Sequence, residues 1–327
     1  MKWQKKGLLF SPSGVGGWMN THAQVPTPLV CDGFIRVYFS SRPERNLSLT
    51  TFVDLDIENL TKVLYINPDP ILELGKPGTF DEHGIMPSCA VRDGNKVYLY
   101  YSGWSRATSV PYTNSTGLAI SVDGGKTFSK ISEGPILGKS QYDPYSATSP
   151  CVLKDGKEWH MWYCSGTGWV KINDKFEHTY DIKYAHSSDG IVWVPFRDAV
   201  IGQKTEFEAI TRPFVIKGTD GYHMWFCYRG SQDFRDGRDA YRIGYAYSED
   251  LQCWQRDDDN TEIDLSDSGW DSKMLAYPSI TIYKTHMFMF YNGNGFGADG
   301  FGLATLDWNS EWGLSKVKKG DYSSHGG

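Results

Sequence analysis

A repeat of about 63 residues constrains the fold of this chain more than any other feature. Each copy is marked by a proline, then a glycine and an aromatic stretch. The five prolines are Pro26, Pro87, Pro150, Pro213 and Pro278, spaced 61, 63, 63 and 65 residues apart. The aromatic stretches that follow them are 37–40, 98–101, 161–164, 224–227 and 287–290. A constant period of this length is typical of an array of one supersecondary unit.

Four of the repeats contain a third stretch in which small and aromatic residues alternate. These stretches are 117–121, 182–187, 243–248 and 302–305, and acidic turns follow the first three. Alternation with a period of two predicts strands, and no stretch has a useful helical period. Four short strands per repeat predict an all-β fold, a five-bladed β-propeller with four-stranded antiparallel blades around a central channel.

We expect a single domain over residues 1–327, because closing the ring removes most sheet edges. The predicted blades are approximately 18–75, 76–135, 136–200, 201–262 and 263–310, and a strand at 7–10 could complete the last one. His160, His223 and His286 recur one repeat apart. They therefore lie at equivalent positions on different blades, which favours a role in the scaffold over a shared metal site.

Charge and hydropathy exclude several classes of function. The chain has 33 basic and 39 acidic side chains and a net charge of −6, with no basic block, which argues against nucleic-acid binding. No apolar stretch approaches the ~20 residues of a membrane span. The apolar stretch 8–10 is too short for a signal peptide, which favours a cytoplasmic protein. The six cysteines form no Cys-x-x-Cys pair, so we expect reduced, buried thiols.

The residues just before each proline should face the channel mouth, because the innermost strand of a blade lines the channel. Unlike the scaffold, these five windows do not repeat one another. They contain Asp81, Glu82, Asp143, Glu206, Glu208 and Asp271, together with His22, His83 and Arg212. Carboxylates beside cationic groups and aromatic rings suit acid–base chemistry on a sugar. Each carboxylate taken alone is equally well explained by a turn or a strand cap.

The repeat phase, the Ser-x-Asp-Gly turns and the acidic windows resemble the five-bladed glycoside hydrolase superfamily. That superfamily includes arabinanases and xylosidases of family 43, invertases and levansucrases of families 32 and 68, and mannoside phosphorylases of family 130. Segment 121–128 also resembles the Asp-box turn of sialidase-type propellers, which is a structural hairpin. The residues Trp18-Met19-Asn20 resemble the start of the invertase motif, but Thr21 stands where its nucleophilic Asp would be.

The resemblance implies acids contributed by several inner strands. It suggests Glu208 as the proton donor, with Glu82 or Asp143 as its partner, and places Asp81 near the expected pKa-tuning acid. Mannoside phosphorylases use one acid with a basic clamp for phosphate. Arg42, Arg212 and Arg229, with His22 and His83, would fit such a clamp or a phosphorylated or carboxylated sugar. A salt bridge to a neighbouring carboxylate explains each arginine as well.

The remaining candidates for substrate binding are aromatic or amide side chains. The full predicted set is His22, Gln24, Arg42, Asp81, His83, Trp104, Tyr145, Arg212, Arg229, Asp271, Asn292 and Asn294. A turn or core packing is the competing explanation for the aromatic and amide members. Segment 231–241 is charged and contains glycine, and we expect it to be a mobile loop that covers the site.

The leading hypothesis is a glycosidase-like enzyme acting on a small oligosaccharide or glycoside. A glycoside phosphorylase and a non-catalytic sugar-binding propeller stay open as alternatives. No cofactor or metal is required, although some members of the superfamily hold a cation in the channel, and clustered Asp and His side chains could do so here. No nucleic-acid or membrane partner is predicted, and the sequence leaves protein partners open.

Overall fold

The computed structural model describes residues 2–307, and these residues are mostly β-strand. Strand β1 spans Gln4–Phe10.

Four antiparallel runs of strands follow, each with its strands in chain order. Run 1 is β2 (Thr21–Val30), β3 (Phe34–Arg42), β4 (Leu49–Asp56) and β5 (Val63–Ile66). Run 2 is β6 (Gly84–Asp93), β7 (Lys96–Arg106), β8 (Tyr112–Ser121) and β9 (Ser129–Lys130). Run 3 is β10 (Ala147–Asp155), β11 (Glu158–Ile172), β12 (Lys175–Ser187) and β13 (Val194–Ile201).

Run 4 consists of β14 (Ala209–Lys217), β15 (Tyr222–Arg229), β16 (Arg242–Ser248) and β17 (Trp254–Arg256). A fifth run, run 5, consists of β18 (Ala276–Tyr283), β19 (His286–Asn292) and β20 (Phe301–Asp307), and β1 pairs antiparallel with β20 as its outermost strand. Helical structure in the described residues is confined to three short turns at Glu44–Asn46, Asp258–Asn260 and Asn294–Gly297. None of them approaches the length and hydropathy needed to cross a membrane.

The first strands of the five runs lie side by side. β2 contacts β6, β6 contacts β10, β10 contacts β14, β14 contacts β18, and β18 contacts β2 again. We call the end of this assembly at which the five first strands begin the mouth. The apolar core lies between adjacent runs, where aromatic side chains such as Trp162 and Tyr100 are buried.

The residue before the proline is bulged in four of the five first strands. Val25, Ser149, Arg212 and Tyr277 have φ values of 53°, 50°, 57° and 56°. Each lies at or beside a shift in strand register. A β-bulge leaves one backbone amide without its ladder partner and re-aims a side chain. Left-handed φ is uncommon for such residues, so the surrounding structure has to hold the bulge in place.

One position in the second strand supplies that support. The freed amide of each bulge donates a hydrogen bond to a side chain from the preceding run. The four pairs are Ser149 N to Ser102 Oγ at 3.0 Å, Arg212 N to Cys164 Sγ at 3.2 Å, Tyr277 N to Cys227 Sγ at 3.4 Å and Val25 N to Asn292 Oδ1 at 2.8 Å. These four acceptors all lie 14 or 15 residues after their own proline. Two of the buried thiols therefore act as hydrogen-bond acceptors between runs.

Candidate functional site

Three of the predicted aspartates occupy one repeated structural position. Asp81, Asp143 and Asp271 are 1%, 0% and 2% exposed. Each accepts a hydrogen bond from a tyrosine 20 residues later in the chain, and each also lies beside a lysine. The tyrosine Oη contacts are Tyr101 to Asp81 at 3.0 Å, Tyr163 to Asp143 at 3.2 Å and Tyr291 to Asp271 at 2.9 Å. The lysine contacts are Lys130 to Asp81 at 2.7 Å, Lys183 to Asp143 at 3.5 Å and Lys5 to Asp271 at 2.8 Å.

The buried acid of run 4 is Glu208, which lies two residues nearer its proline than Asp143 does. Its two carboxylate oxygens accept from Arg256 Nη2 at 2.6 Å and Arg256 Nη1 at 3.0 Å, and the amide of Lys204 donates to Oε2 at 2.6 Å. The Glu208 and Arg256 side chains are 8% and 10% exposed. Glu208 is therefore a buried, neutralised carboxylate, like the three aspartates.

Run 1 lacks both the buried acid and the tyrosine. Met19 lies seven residues before Pro26, as Asp143 does before Pro150, and Phe39 stands where Tyr163 stands in run 3. Met19 and Phe39 are buried in the same apolar cluster. The acid and its phenol partner are thus absent together, as expected when each is present to satisfy the other.

These contacts correct part of the sequence-based hypothesis. Asp81, Asp143, Glu208 and Asp271 are already paired with cationic side chains, so a reaction at the mouth would have to break a buried ion pair to use them. The geometry therefore does not support Glu208 as proton donor with Asp143 as partner, nor sugar contacts by Asp81 and Asp271.

Arg212 and the two asparagines also have structural partners. Arg212 is 1% exposed, and its guanidinium bonds the carbonyls of Ser88 and Pro26, in runs 2 and 1. Asn292 donates to the carbonyls of Ala23 and Gly300, at 2.9 and 2.8 Å, and accepts from Val25. Asn294 Oδ1 accepts from two backbone amides, Lys273 N at 2.8 Å and Met274 N at 3.1 Å. These contacts do not support the predicted sugar-binding roles of these three residues.

Glu82 differs from the other predicted acids. One of its oxygens accepts from the amide of Gly78 at 2.8 Å, and the other lies 3.5 Å from Nδ1 of His83. Its side chain is 23% exposed and makes no contact with a lysine or arginine in residues 2–307. His83 stacks on Trp104 with ring centroids 5.9 Å apart. The structure therefore brings three predicted residues, Glu82, His83 and Trp104, together at the beginning of β6, whereas Tyr145 is 40% exposed just before β10.

A second group of predicted residues lies at the mouth end of run 1. Arg42 Nη2 donates to Gln24 Oε1 at 3.1 Å, and Nη1 lies 3.5 Å from Asn46 Oδ1. Burial, and then the charge of Arg42, lowers the pKa of His22 to about 4, so the imidazole is neutral at pH 7. The side-chain contacts of Arg42 are these two amide oxygens. In the described part of the chain, no carboxylate pairs with it.

Arg229 approaches the same region from run 4. Its guanidinium lies 3.7 Å from the ring centroid of Phe234 and donates to the carbonyl of His178 at 2.8 Å. No carboxylate among residues 2–307 pairs with it. The rings of Tyr241 and Tyr277 lie next to each other, with centroids 5.5 Å apart and an interplanar angle of 55°. Burial and Tyr241 raise the pKa of Tyr277, whereas the charges of Arg42 and Arg229 lower it, so both guanidinium groups act on this one phenol.

An aromatic cluster from runs 2 and 3 continues this surface. Trp169 stacks on His178 with centroids 4.1 Å apart and an interplanar angle of 11°. The hydroxyls of Tyr112 and Tyr180 are 3.1 Å apart. Burial, then the charge of Arg229, lowers the pKa of His178 to about 3. The sequence analysis missed His178 and the phenols because they lie where the repeats differ in length and cannot be compared.

The described residues hold no group of three or more His, Cys, Asp or Glu side chains arranged to bind a metal ion. The aspartates of the windows lie in different runs, each facing its own lysine. The cation that some propeller enzymes hold in the channel therefore has no donor set in this part of the chain.

Two curated proteins of Mycobacterium tuberculosis match nearly the whole chain. Uncharacterized protein Rv1502, from strain H37Rv, is 38% identical over 309 residues, which are 94% of this chain and 100% of the relative. Uncharacterized protein MT1551, from strain CDC 1551, matches with the same identity and coverage. The chain belongs to the Rv1502 family. No protein-family model matches it.

Solved structures similar to this member of the family are carbohydrate-active proteins. The structure of a complex of BT0996 and RGII has a TM-score of 0.72 at 15% identity and covers 96% of this chain and 94% of its own. A structure from the GH130 family of mannoside phosphorylases, which contains glycoside hydrolases, has a TM-score of 0.68 at 15% identity, with 95% of each chain covered. A thermostable family-43 glycoside hydrolase has a TM-score of 0.63 at 19% identity over 90% of this chain and 91% of its own. At 15–19% identity, these likenesses show that the chain shares the fold of these structures.

Proposed function

We propose that the chain is a carbohydrate-active enzyme that cleaves a glycosidic bond by phosphorolysis at the mouth of a five-bladed propeller. The five antiparallel runs, with β1 as the outer strand of the last, support the blade count. Arg42, which is partly exposed at the mouth, carries the functional proposal, and Arg229, which is 5% exposed and bonded to backbone carbonyls as Arg212 is, adds its charge from a buried position. Four of the predicted acids already have cationic partners, whereas these two arginines, flanking Tyr277, have no carboxylate partner among the described residues.

Phosphate is the anion that this arrangement suits best. Guanidinium groups bind phosphate oxygens in a bidentate geometry, and the two phenols could donate further hydrogen bonds. In phosphorolysis, a phosphate oxygen forms a bond to the anomeric carbon while the bond from that carbon to the leaving oxygen breaks. One general acid suffices, because phosphate replaces the base-activated water. Glu82, protonated, would deliver its proton to the leaving oxygen.

Trp104 and His83 would form the wall against which the sugar ring packs. Their stacked rings stand beside Glu82, so a sugar on the Trp104 face would bring its glycosidic oxygen towards that carboxyl group. His22 and Gln24 would orient Arg42 and the sugar hydroxyls. The buried free thiols of Cys89, Cys151, Cys164 and Cys227 fit a reducing compartment, in line with the cytoplasmic prediction.

Phosphate dependence tests the proposal. The wild-type protein should release sugar 1-phosphate from a panel of mannosides, xylosides and arabinosides only when inorganic phosphate is present. Arg42→Gln should lower kcat/KM by about 10²-fold and raise the KM for phosphate, because it removes a charge-assisted contact to the anion. Glu82→Gln should lower kcat with little change in the KM for phosphate.

Arg92→Gln is the matched control, because Arg92 is an exposed arginine near the far end of β6. It should leave both constants unchanged. Turnover that is independent of phosphate but lost in Glu82→Gln would establish hydrolysis instead.

Sugar binding without turnover is the second candidate. The neutralised carboxylates favour it, because they remove most of the acids that a hydrolase would use. Measurable sugar binding with no product, with or without phosphate, would select it.

A further inference from the structure

A pocket of about 410 Å³ lies beside the mouth and is used by none of the steps above. Its walls come from three runs: the connection after β7, the turn of the β11–β12 hairpin, and one arginine from segment 231–241. We call it the rim pocket. Its lining includes Tyr112, Asp174, Lys175, Phe176, Glu177 and Arg235. Its size falls within the range of small-molecule sites, about 300–1,000 Å³.

One wall is an extension of run 3 beyond the length of the other runs. β11 has 15 residues and β12 has 13, and the two strands remain paired from Gly168 and Thr179 out to Ile172 and Lys175. Asn173 and Asp174 have φ values of 47° and 64°, as in the two-residue turn that closes a regular hairpin. The segment between the second and third strands of run 3 is therefore an ordered strand pair that carries Phe176 and Glu177 at the mouth end of the run.

An ion pair fixes the opposite wall. Arg235 donates from Nη1 and Nη2 to the two oxygens of Glu177, at 2.8 and 3.2 Å. Asp233 accepts from the amide of Asp239 at 2.8 Å and from that of Arg238 at 3.2 Å. Segment 231–241 was expected to be a mobile cover, but it makes hydrogen bonds within itself and an ion pair to the hairpin. These contacts preorganise the pocket.

The lining suits an uncharged polyol. Two cationic side chains, Lys175 and Arg235, are balanced by two anionic ones, Asp174 and Glu177. Hydroxyl groups of the lining supply donors and acceptors, and Phe176, which is 38% exposed, offers an aromatic ring. Aromatic faces with convergent hydroxyl and amide groups recognise sugars, whose rings have apolar faces and polar edges.

Tyr112 connects the rim pocket to the mouth. It lines the pocket, its hydroxyl lies 3.1 Å from that of Tyr180, and its ring centroid is 5.2 Å from that of Trp169. Tyr112 therefore belongs both to the lining of the rim pocket and to the aromatic cluster. We propose that the rim pocket is a distal subsite that binds further sugar units of an uncharged oligosaccharide whose reacting end occupies the mouth. This inference rests on the proposed carbohydrate specificity of the mouth.

Chain-length dependence of binding tests the inference. The probes are disaccharides and tetrasaccharides of mannan, xylan and arabinan, titrated calorimetrically into the full-length protein. The wild-type protein should bind one tetrasaccharide at least tenfold more tightly than its disaccharide, and Phe176→Ala should remove about tenfold of that tetrasaccharide affinity while leaving disaccharide affinity unchanged. Tyr65→Ala is the matched control, because Tyr65 is a comparably exposed aromatic residue, 48%, on the edge strand β5.

A second variant tests whether the effect of Phe176→Ala is only a local packing defect. Arg235→Gln should weaken tetrasaccharide binding in the same selective way, because it releases the wall from Glu177. Equal affinity for the two lengths in the wild type, equal weakening of both by Phe176→Ala, or no binding by any oligosaccharide overturns the inference. A tetrasaccharide preference without product formation would leave the subsite in place and refute only the enzyme activity.

Discussion

The substitution Glu208→Gln separates a scaffold acid from a catalytic one. Glutamine keeps the size of the side chain but loses the charge that holds Arg256 in a bidentate contact at 2.6 and 3.0 Å. Removing one partner of a buried pair costs about 3–5 kcal/mol when the other is left uncompensated. Arg256 keeps Asp258 at 2.9 Å, so we expect a smaller loss of unfolding free energy, about 2–3 kcal/mol.

The assay combines thermal unfolding with turnover. A loss of that size should lower the melting temperature by about 3–4 °C in a chain of this length, with kcat of the remaining folded protein near that of the wild type. Glu206→Gln, which changes an exposed glutamate two residues away, should alter neither quantity. An unchanged melting temperature together with a 10²-fold or larger drop in kcat would refute the assignment of Glu208 to the scaffold.

Two further substitutions test the scaffold contacts. Burial raises the pKa of Asp181 to about 6, although the charge of Lys183 opposes this shift. The contribution of Asp181 to stability is therefore complete below the unfolded pKa of about 3.9 and is lost as the pH rises through 6. Asp181→Asn should raise the unfolding free energy at pH 8 by about 2–3 kcal/mol and have little effect at pH 4; a urea titration showing equal effects at both would contradict this. Asn292→Ala leaves three buried backbone groups unpaired and should cost about 3 kcal/mol in the same assay, whereas Asn292→Ser, which copies Ser40 and Ser102 of other runs, should cost less; equal losses would exclude a hydrogen-bonding role.

The sequence was informative wherever the repeat could be compared with itself. The prolines marked the first strands correctly. In four of these strands, a bulge with the same backbone geometry lies just before the proline. The alternating stretches became the third strands, as their period required. These features are local and recur, so each copy supports the interpretation of the others.

The buried acids could not be grouped from the sequence for a reason that the structure makes plain. Glu208, Asp81 and Asp143 lie five, six and seven residues before their prolines, so alignment on the prolines made them look unrelated. For the two aspartates, the constant signal is the interval to the tyrosine on the second strand, 20 residues from Asp81 to Tyr101 and again from Asp143 to Tyr163. A comparison of acids with phenols would have grouped these two, but Glu208 is held by Arg256 and by no tyrosine among the described residues.

The residues around His178 could not have been predicted in this way. They lie on the extended β11–β12 hairpin, which has no counterpart in the other runs that the structure describes, and the partners of His178 come from elsewhere in the chain. Arg229, for example, reaches the carbonyl of His178 across 51 residues. Such contacts depend on tertiary structure alone, and no period or motif in the sequence predicts them.

The exception in run 1 connects the scaffold to the proposed function. In runs 2 to 5 each buried acid is matched by a lysine or arginine, so these positions contribute little net charge to the mouth. Run 1 has Met19 in place of the acid, and Arg42, at the mouth end of β3, contacts amide oxygens and no carboxylate within residues 2–307. Its charge at the mouth is therefore not cancelled by a carboxylate of the described residues, and Glu82 and Trp104 lie at the start of the next run. In the proposed phosphorolysis, Arg42 would use this charge to bind the anionic reactant, while Thr21 stands where a hydrolase of the invertase type would have its nucleophilic Asp.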